Sequence, residues 1–208
     1  MINNRSWAEI NLAALERNLR LIRDSLPQNV HYISVVKADA YGHGIHPTAA
    51  RLMQSGVDVF AVANVQEASE IREMGSGWPI LILGPLLEEE DEALFDFDLI
   101  PTLSSEEELH RFKELSQKHQ KQISVHIKID SGMGRHGAWW EKAEELIELV
   151  VASEEIKICG ALTHFAQPLD LSFTQEQRNR FLSVLERTQI HRQKDFLVHA
   201  DNSSSLRS

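Results

Sequence analysis

One cysteine in 208 residues, Cys159, excludes any disulfide framework within the chain. It lies in the apolar run IKICGAL, which reads as a buried strand in a reducing compartment. No window approaches the roughly 20 apolar residues that a spanning helix needs. The opening MINNRSWAEINL also lacks the apolar stretch of a signal peptide. Both absences lead to the expectation of a cytoplasmic protein. Basic blocks are missing too, and with a formal net charge of −10 the chain is poorly suited to general binding of nucleic acid or anionic membranes. It holds no Pro/Ser-rich spacer and no low-complexity tract that would separate independent domains. H-E-x-x-H, G-x-S-x-G and Walker sequences are likewise absent.

The composition, 42% hydrophobic and 25% charged, is that of a globular protein with a sizeable core. Strand and helix patterns alternate along it. A short strand-like run, Trp7 to Ile10, precedes Asn11, which can cap a helix carrying Leu12, Leu15, Leu19 and Ile22 and ended by Pro27. Strands are expected over Val30 to Val36, Val57 to Val62, Pro79 to Leu83, Leu99 to Thr102, Ile123 to Ile129, Ile156 to Leu162 and Phe196 to His199. Between them, helices are expected over Pro47 to Ser55, Val65 to Met74, Glu88 to Phe95, Ser105 to His119, Trp139 to Ala152 and Thr174 to Ile190. Consecutive βα units imply a parallel sheet. Seven strands fall one short of the eight that close a TIM-type (β/α)₈ barrel. The expected fold is therefore α/β, a barrel truncated after its seventh strand, with residues 1–208 forming one incomplete barrel domain.

In such folds the C-terminal strand ends face the ligand, so candidates for chemistry can be gathered by position. Lys37 closes the run Ile33 to Val36 and leads into VVKADAYGHG, where Tyr41 and His43 could reach the same ligand and two glycines allow tight closure. A single lysine at a strand end is most often a solvated terminus. Its phenol, imidazole and glycine neighbours argue for more. Lys128, Asp130 and Arg135 come from the fifth strand, His164 from the sixth, and His199, Asp201, Asn202 and Ser203 from the seventh. GMGRHG, Gly132 to Gly137, fits the dinucleotide fingerprint, but its strand is the fifth of a series and Arg135 and His136 occupy the middle of the loop. His43 and His46 have no third matched ligand, so no metal site is expected.

VVKADAYGHG resembles the pyridoxal-phosphate attachment segment of bacterial alanine racemases. KIDSGMGRHG, THFA and HADNSSS resemble three further motifs of that family in the same order, and WAEINLAALERNL and VANVQEASEIRE match it as well. The resemblance implies a (β/α)₈ barrel holding pyridoxal 5'-phosphate in its mouth, a Schiff base on Lys37, and a hydrogen bond from Tyr41 to the cofactor phosphate. Lys37, freed by substrate, would be the base for one enantiomer. Arg135 would contact the cofactor's phenolic oxygen and the substrate carboxylate, while Lys128 matches a position carbamylated in many members. His164 and His199 would flank the pyridine ring, and Ser203 with Asn202 would belong to the phosphate cradle.

Family members continue through an eighth strand, which bears an arginine, into a β-domain whose tyrosine serves the partner subunit as the opposite base. The resemblance therefore implies an incomplete piece of a homodimeric enzyme that interconverts L- and D-alanine for peptidoglycan, with the isolated chain poorly active or inactive. The alternative is a single-domain pyridoxal-phosphate carrier without racemase activity; such carriers do not usually have the ADAYGHG continuation.

Overall fold

The computed structural model describes residues 6–200. Two compact units are formed, Met1–Leu83 with Phe97–Leu99, and Gly84–Asp96 with Ile100–Ser208.

In the first unit Asn11 accepts the Ala14 N–H at 2.9 Å and starts α1, Leu12–Ser25, which stops ahead of Pro27. Strands β1, Ile33–Val35, β2, Val59–Val62, and β3, Ile80–Ile82, pair in parallel, with Ile33 against Val59 and Phe60 against Ile80. Every residue of β2 and β3 is buried, the continuous apolar pattern of a sheet covered on both faces. The helices are α2, Ile45–Gln54, and α3, Val65–Met74, the latter capped by the Asn64 side chain. From α3, Arg72 donates to the carbonyls of Trp78, Phe97 and Asp98 at 3.1, 2.7 and 2.9 Å, which holds the 97–99 segment to this unit. Trp7 to Ile10 forms no strand, contrary to expectation, because it finds no ladder partner among the described residues; Trp7 is exposed.

The second unit carries β4, Ile100–Leu103, β5, Ile123–Asp130, β6, Ile156–Leu162, and β7, Leu197–His199, again parallel. The helices are α4, Ala93–Asp96, α5, Glu106–His119, α6, Ala143–Val151, and α7, Leu171–Thr188. Ser105 and Asp170 cap α5 and α7 through their side chains. Val125, Ile127, Phe112, Val150 and Phe181 fill the core with almost no exposure. Each such side chain stabilises by about 1.5–3 kcal/mol on burial. Between Val125 and His126 the register with β6 slips by one, leaving Cys159 as the bulged residue. Its thiol donates to the Val125 carbonyl at 3.4 Å, and burial pushes it up to about 11, so it stays protonated and inert.

Two expected helices are corrected. Glu88 to Phe95 breaks into a 3₁₀ turn, Glu88–Glu90, and the short α4. There the Glu90 carboxylate folds back onto the Leu87 N–H, and Asp91 pairs with Arg111 at 2.6 Å. The helix expected from Trp139 starts only at Ala143, because Ala138–Trp139 is spent on a two-residue strand beside Ile129 and Asp130.

Candidate functional site

Lys37 directly follows Val36 at the end of β1 and is half-buried. Ala38, Asp39, Ala40 and Tyr41 then adopt φ of 52 to 56° and ψ of 37 to 53°, one turn of left-handed helix built from four consecutive non-glycine residues. Each costs about 1–2 kcal/mol over a right-handed residue, so the turn exists only because its surroundings impose it. The Ala40 N–H donates to the Val36 carbonyl at 2.8 Å and the Gly44 N–H to the Asp39 carbonyl at 3.0 Å. The Asp39 carboxylate accepts the Ile45 N–H at 2.6 Å. Glu67, from the first turn of α3, accepts the Ala38 N–H at 2.6 Å on one oxygen and the Ala63 N–H at 2.8 Å on the other. One carboxylate thus fixes the residue after Lys37 to the end of β2. Tyr41 is left exposed; His43 Nδ1 donates to the Ala40 carbonyl at 2.9 Å and is used inside the turn.

In the second unit β5 presents His126, Lys128 and Asp130 on one face, two residues apart. All three are buried. Asp130 is an anchor for backbone: its carboxylate accepts N–H groups from Gly132 at 2.9 Å, Gly134 at 2.8 Å and Arg135 at 3.2 Å. This closes the dinucleotide possibility, because these loop amides already serve an internal carboxylate and α6 begins only at Ala143. Gly137 is required beside it: a Cβ there would sit 2.7 Å from the Asp130 nitrogen, at a φ of +133°. Arg135 is held by its backbone and keeps an exposed side chain. His136 Nε2 lies 3.1 Å from Ser104 Oγ, and the buried Glu108 carboxylate accepts both the N–H and the hydroxyl of Ser104.

The ends of β5 and β6 are stapled from α7. Ser131 and Thr163 share a buried hydroxyl hydrogen bond of 2.7 Å. The buried Gln177 accepts the Ala166 N–H at 2.9 Å and donates to the His164 carbonyl at 3.2 Å, and Arg180 donates to the Ser131 carbonyl at 3.0 Å. His164 is half-buried just beyond β6 with its backbone fixed by these bonds.

At the end of β7, His199 Nε2 lies 2.8 Å from His126 Nδ1, the ring centroids 5.1 Å apart. Burial and the neighbouring His199 push His126 down to about 3; burial and the Lys128 ammonium push His199 down to about 4. Both are neutral in the folded protein at pH 7, whereas an unfolded histidine takes up a proton near 6.5. Their contribution to stability is therefore complete above about pH 6.5 and lost as the pH falls towards the folded values. From pH 6.5 to 5, His126 alone should remove about 2 kcal/mol. The partly exposed His199 adds less. Denaturant midpoints across this range should fall, and fall less in His126→Asn; equal slopes for the two proteins would refute the assignment.

Asp201, Asn202 and Ser203 lie outside the described residues. Sequence reasoning missed three positions. His126 shares the period-2 face of Lys128 and Asp130, a signal available in HIKID; Glu67 and Gln177 are acids and amides on helices, indistinguishable by pattern from solvated ones.

Residues 10–208 match the family described as alanine racemase, N-terminal domain. The chain belongs to this family. An alanine racemase from Halothermothrix orenii is 40% identical over 207 residues, covering 99% of this chain and 55% of that protein. One from Carboxydothermus hydrogenoformans is 38% identical, covering 96% and 54%. The solved alanine racemase of Clostridium difficile 630 in complex with cycloserine superposes with a TM-score of 0.92 at 33% identity, covering 99% of this chain and 57% of that one. That of Bacillus anthracis with bound L-Ala-P gives 0.85 at 28% identity, covering 99% and 54%. The fold is thus that of the N-terminal barrel domain of alanine racemases, represented among the described residues by seven parallel strands and the two-residue strand Ala138–Trp139, with their helices. The chain spans about half the length of the curated relatives it matches.

Proposed function

We propose that the protein containing this chain is a pyridoxal-phosphate-dependent alanine racemase that interconverts L- and D-alanine. The observation that carries this reading is Lys37 at the end of a parallel strand, leading into a strained turn that Glu67 clamps through the Ala38 N–H. Strain imposed immediately beside a lysine amine is a device for holding that amine in one place.

The residues suit the cofactor. An exposed Arg135 guanidinium on an anchored loop matches a phenolate or carboxylate oxygen in planar geometry, and the exposed Tyr41 hydroxyl follows Lys37 within the same turn as a donor for a phosphate oxygen. When bound, pyridoxal phosphate supplies an electron sink for the carbon acid at the substrate Cα. Lys37 would hold the cofactor through its ε-amine, and the same amine would serve as the base that moves the Cα proton of one enantiomer. Arg135 orients the substrate carboxylate. His164 and His199 would flank the ring, Asn202 and Ser203 would serve the phosphate, and Lys128 would be the carbamylation position; modified, it would become an anion beside His199 and reverse the sign of its influence there. The product supplies peptidoglycan, in the cytoplasm, by a homodimer. The 208 residues alone turn alanine over poorly or not at all, since the opposite base lies elsewhere in the family's chains.

The test uses the complete protein its gene encodes, loaded with pyridoxal phosphate. L-Alanine should yield D-alanine, and borohydride reduction followed by peptide mapping should place the cofactor on Lys37. Cofactor found on another lysine, or binding without any racemisation, would overturn the reading.

A further inference from the structure

His126 lies deeper along β5 than any residue the racemase reading uses, and its surroundings are unusual. In the strand ladder it is level with Gly160 of β6, and Gly160 is level with Leu197 of β7. One layer nearer the strand ends, Lys128, Leu162 and His199 are aligned in the same way. The His126 ring does not stay in its own layer. It lies over Gly160, where a Cβ would come within 2.5 to 2.7 Å of three ring atoms, and reaches across β6 to His199 in the next layer. Gly160 has no positive φ to explain it; the position is glycine because the imidazole fills the space a side chain would need.

We propose that His126 is a positioning residue for His199: across the gap left by Gly160 it fixes the orientation of the His199 ring and which of its nitrogens carries the proton. The argument is one of hydrogen-bond inventory. Two neutral imidazoles joined through Nδ1 of one and Nε2 of the other share a single proton on that axis. Whichever ring donates, the His199 tautomer is set by the bond, and its Nδ1 is committed to one role, donor or acceptor. A second proton on that same axis would put two N–H groups head to head in a buried place, which the low dielectric disfavours. A side chain of the same size without a nitrogen at the Nδ1 position would fill the core and leave His199 free to flip and to exchange tautomers.

This inference deepens the racemase reading, since it gives a function to the histidine proposed to lie beside the cofactor ring. Its first test does not depend on cofactor. In the complete protein, free of cofactor, long-range ¹H–¹⁵N spectra of the imidazole nitrogens should show His199 as one tautomer at neutral pH. In His126→Leu the His199 nitrogens should move to the averaged shifts of a tautomer mixture. His126→Asn, whose side-chain amide can occupy the Nδ1 position, should restore a single environment. Gly160→Ala, with the His126 ring displaced by the new methyl group, should resemble His126→Leu although no histidine has been changed.

The second test is the absorbance of the bound cofactor and its affinity. His126→Leu and Gly160→Ala should shift the band or weaken binding several-fold, and His126→Asn should do so less. Unchanged His199 shifts in a folded His126→Leu would overturn the proposal. Equal behaviour of the Leu and Asn variants would do the same, because a purely space-filling role does not distinguish them. If the histidine spectra respond as described while the wild-type protein takes up no cofactor, the positioning role stands and the racemase reading fails.

Discussion

Lys37→Ala should lower alanine racemisation by at least about 10³-fold, since proton transfer by a positioned group alone contributes 10²–10⁴, and should abolish covalent cofactor retention. Lys37→Arg separates charge from chemistry: the guanidinium remains a cation but is a poor nucleophile and cannot act as a base near neutral pH. It should be as inactive as the alanine variant. Glu67→Ala is the informative intermediate. It leaves the lysine in place and frees the Ala38 and Ala63 N–H groups that hold the strained turn. Covalent attachment should survive in that variant while the rate drops, because the amine is no longer held in one position. Full activity in Glu67→Ala would mean that the left-handed turn is imposed by Asp39 and the Val36 carbonyl without help.

The contrast between Lys37 and Glu67 shows what could be read from sequence and what could not. A lysine at the end of a β-branched run, followed by an acid, a tyrosine, a histidine and two glycines, is conspicuous in one dimension, and so was the placement of the strands that the structure bears out. The helix limits expected at Val65–Met74 are those of the structure, where the Asn64 side chain caps the start and Gly75 follows the end. What escaped notice is set by three-dimensional neighbours. Four consecutive left-handed residues without glycine have no local signature, since the strain is compensated by a carboxylate from a different helix. Trp139 to Ala152 carries helical periodicity throughout, yet its first residue, Trp139, belongs with Ala138 to a two-residue strand paired with β5, where ladder hydrogen bonds outweigh propensity. In the same way the run of acids from Glu88 to Glu92 looked like a helix start, and became a broken turn once Asp91 found Arg111.

The glycines divide along similar lines. Gly132 to Gly137 drew attention as a possible phosphate loop, and the structure gives these residues a different task. Asp130 draws the amides of Gly132, Gly134 and Arg135 around its own carboxylate, and Gly137 lets the chain return close to the Asp130 backbone. The glycine pattern of a nucleotide loop and of a carboxylate-centred loop is the same because both require amides converging on an anion. Only the location of the anion differs. Gly160 had no visible motif, and its reason, the His126 ring, comes from the neighbouring strand.

Asp130→Ala should therefore be among the most damaging substitutions outside the lysine. Three backbone N–H groups lose a charged acceptor; such bonds are worth about 1.5–3 kcal/mol each, but water can replace part of them in this partly exposed loop, so the net loss should be about 3–4 kcal/mol. For a domain of this size that is about 6–16 °C in melting temperature. Asp130→Asn keeps one neutral acceptor and should lose roughly half as much. Because the Arg135 backbone is one of the three donors, loosening the loop should also raise KM for alanine while kcat changes less, the pattern of lost substrate binding without lost chemistry. Gly137→Ala reaches the same loop by a different route, forcing a Cβ against the Asp130 nitrogen, and should reproduce both effects with the carboxylate intact. Loss of stability with an unchanged KM in both variants would show that the loop holds the fold together but does not place Arg135, and the substrate carboxylate would then have to be held by other residues.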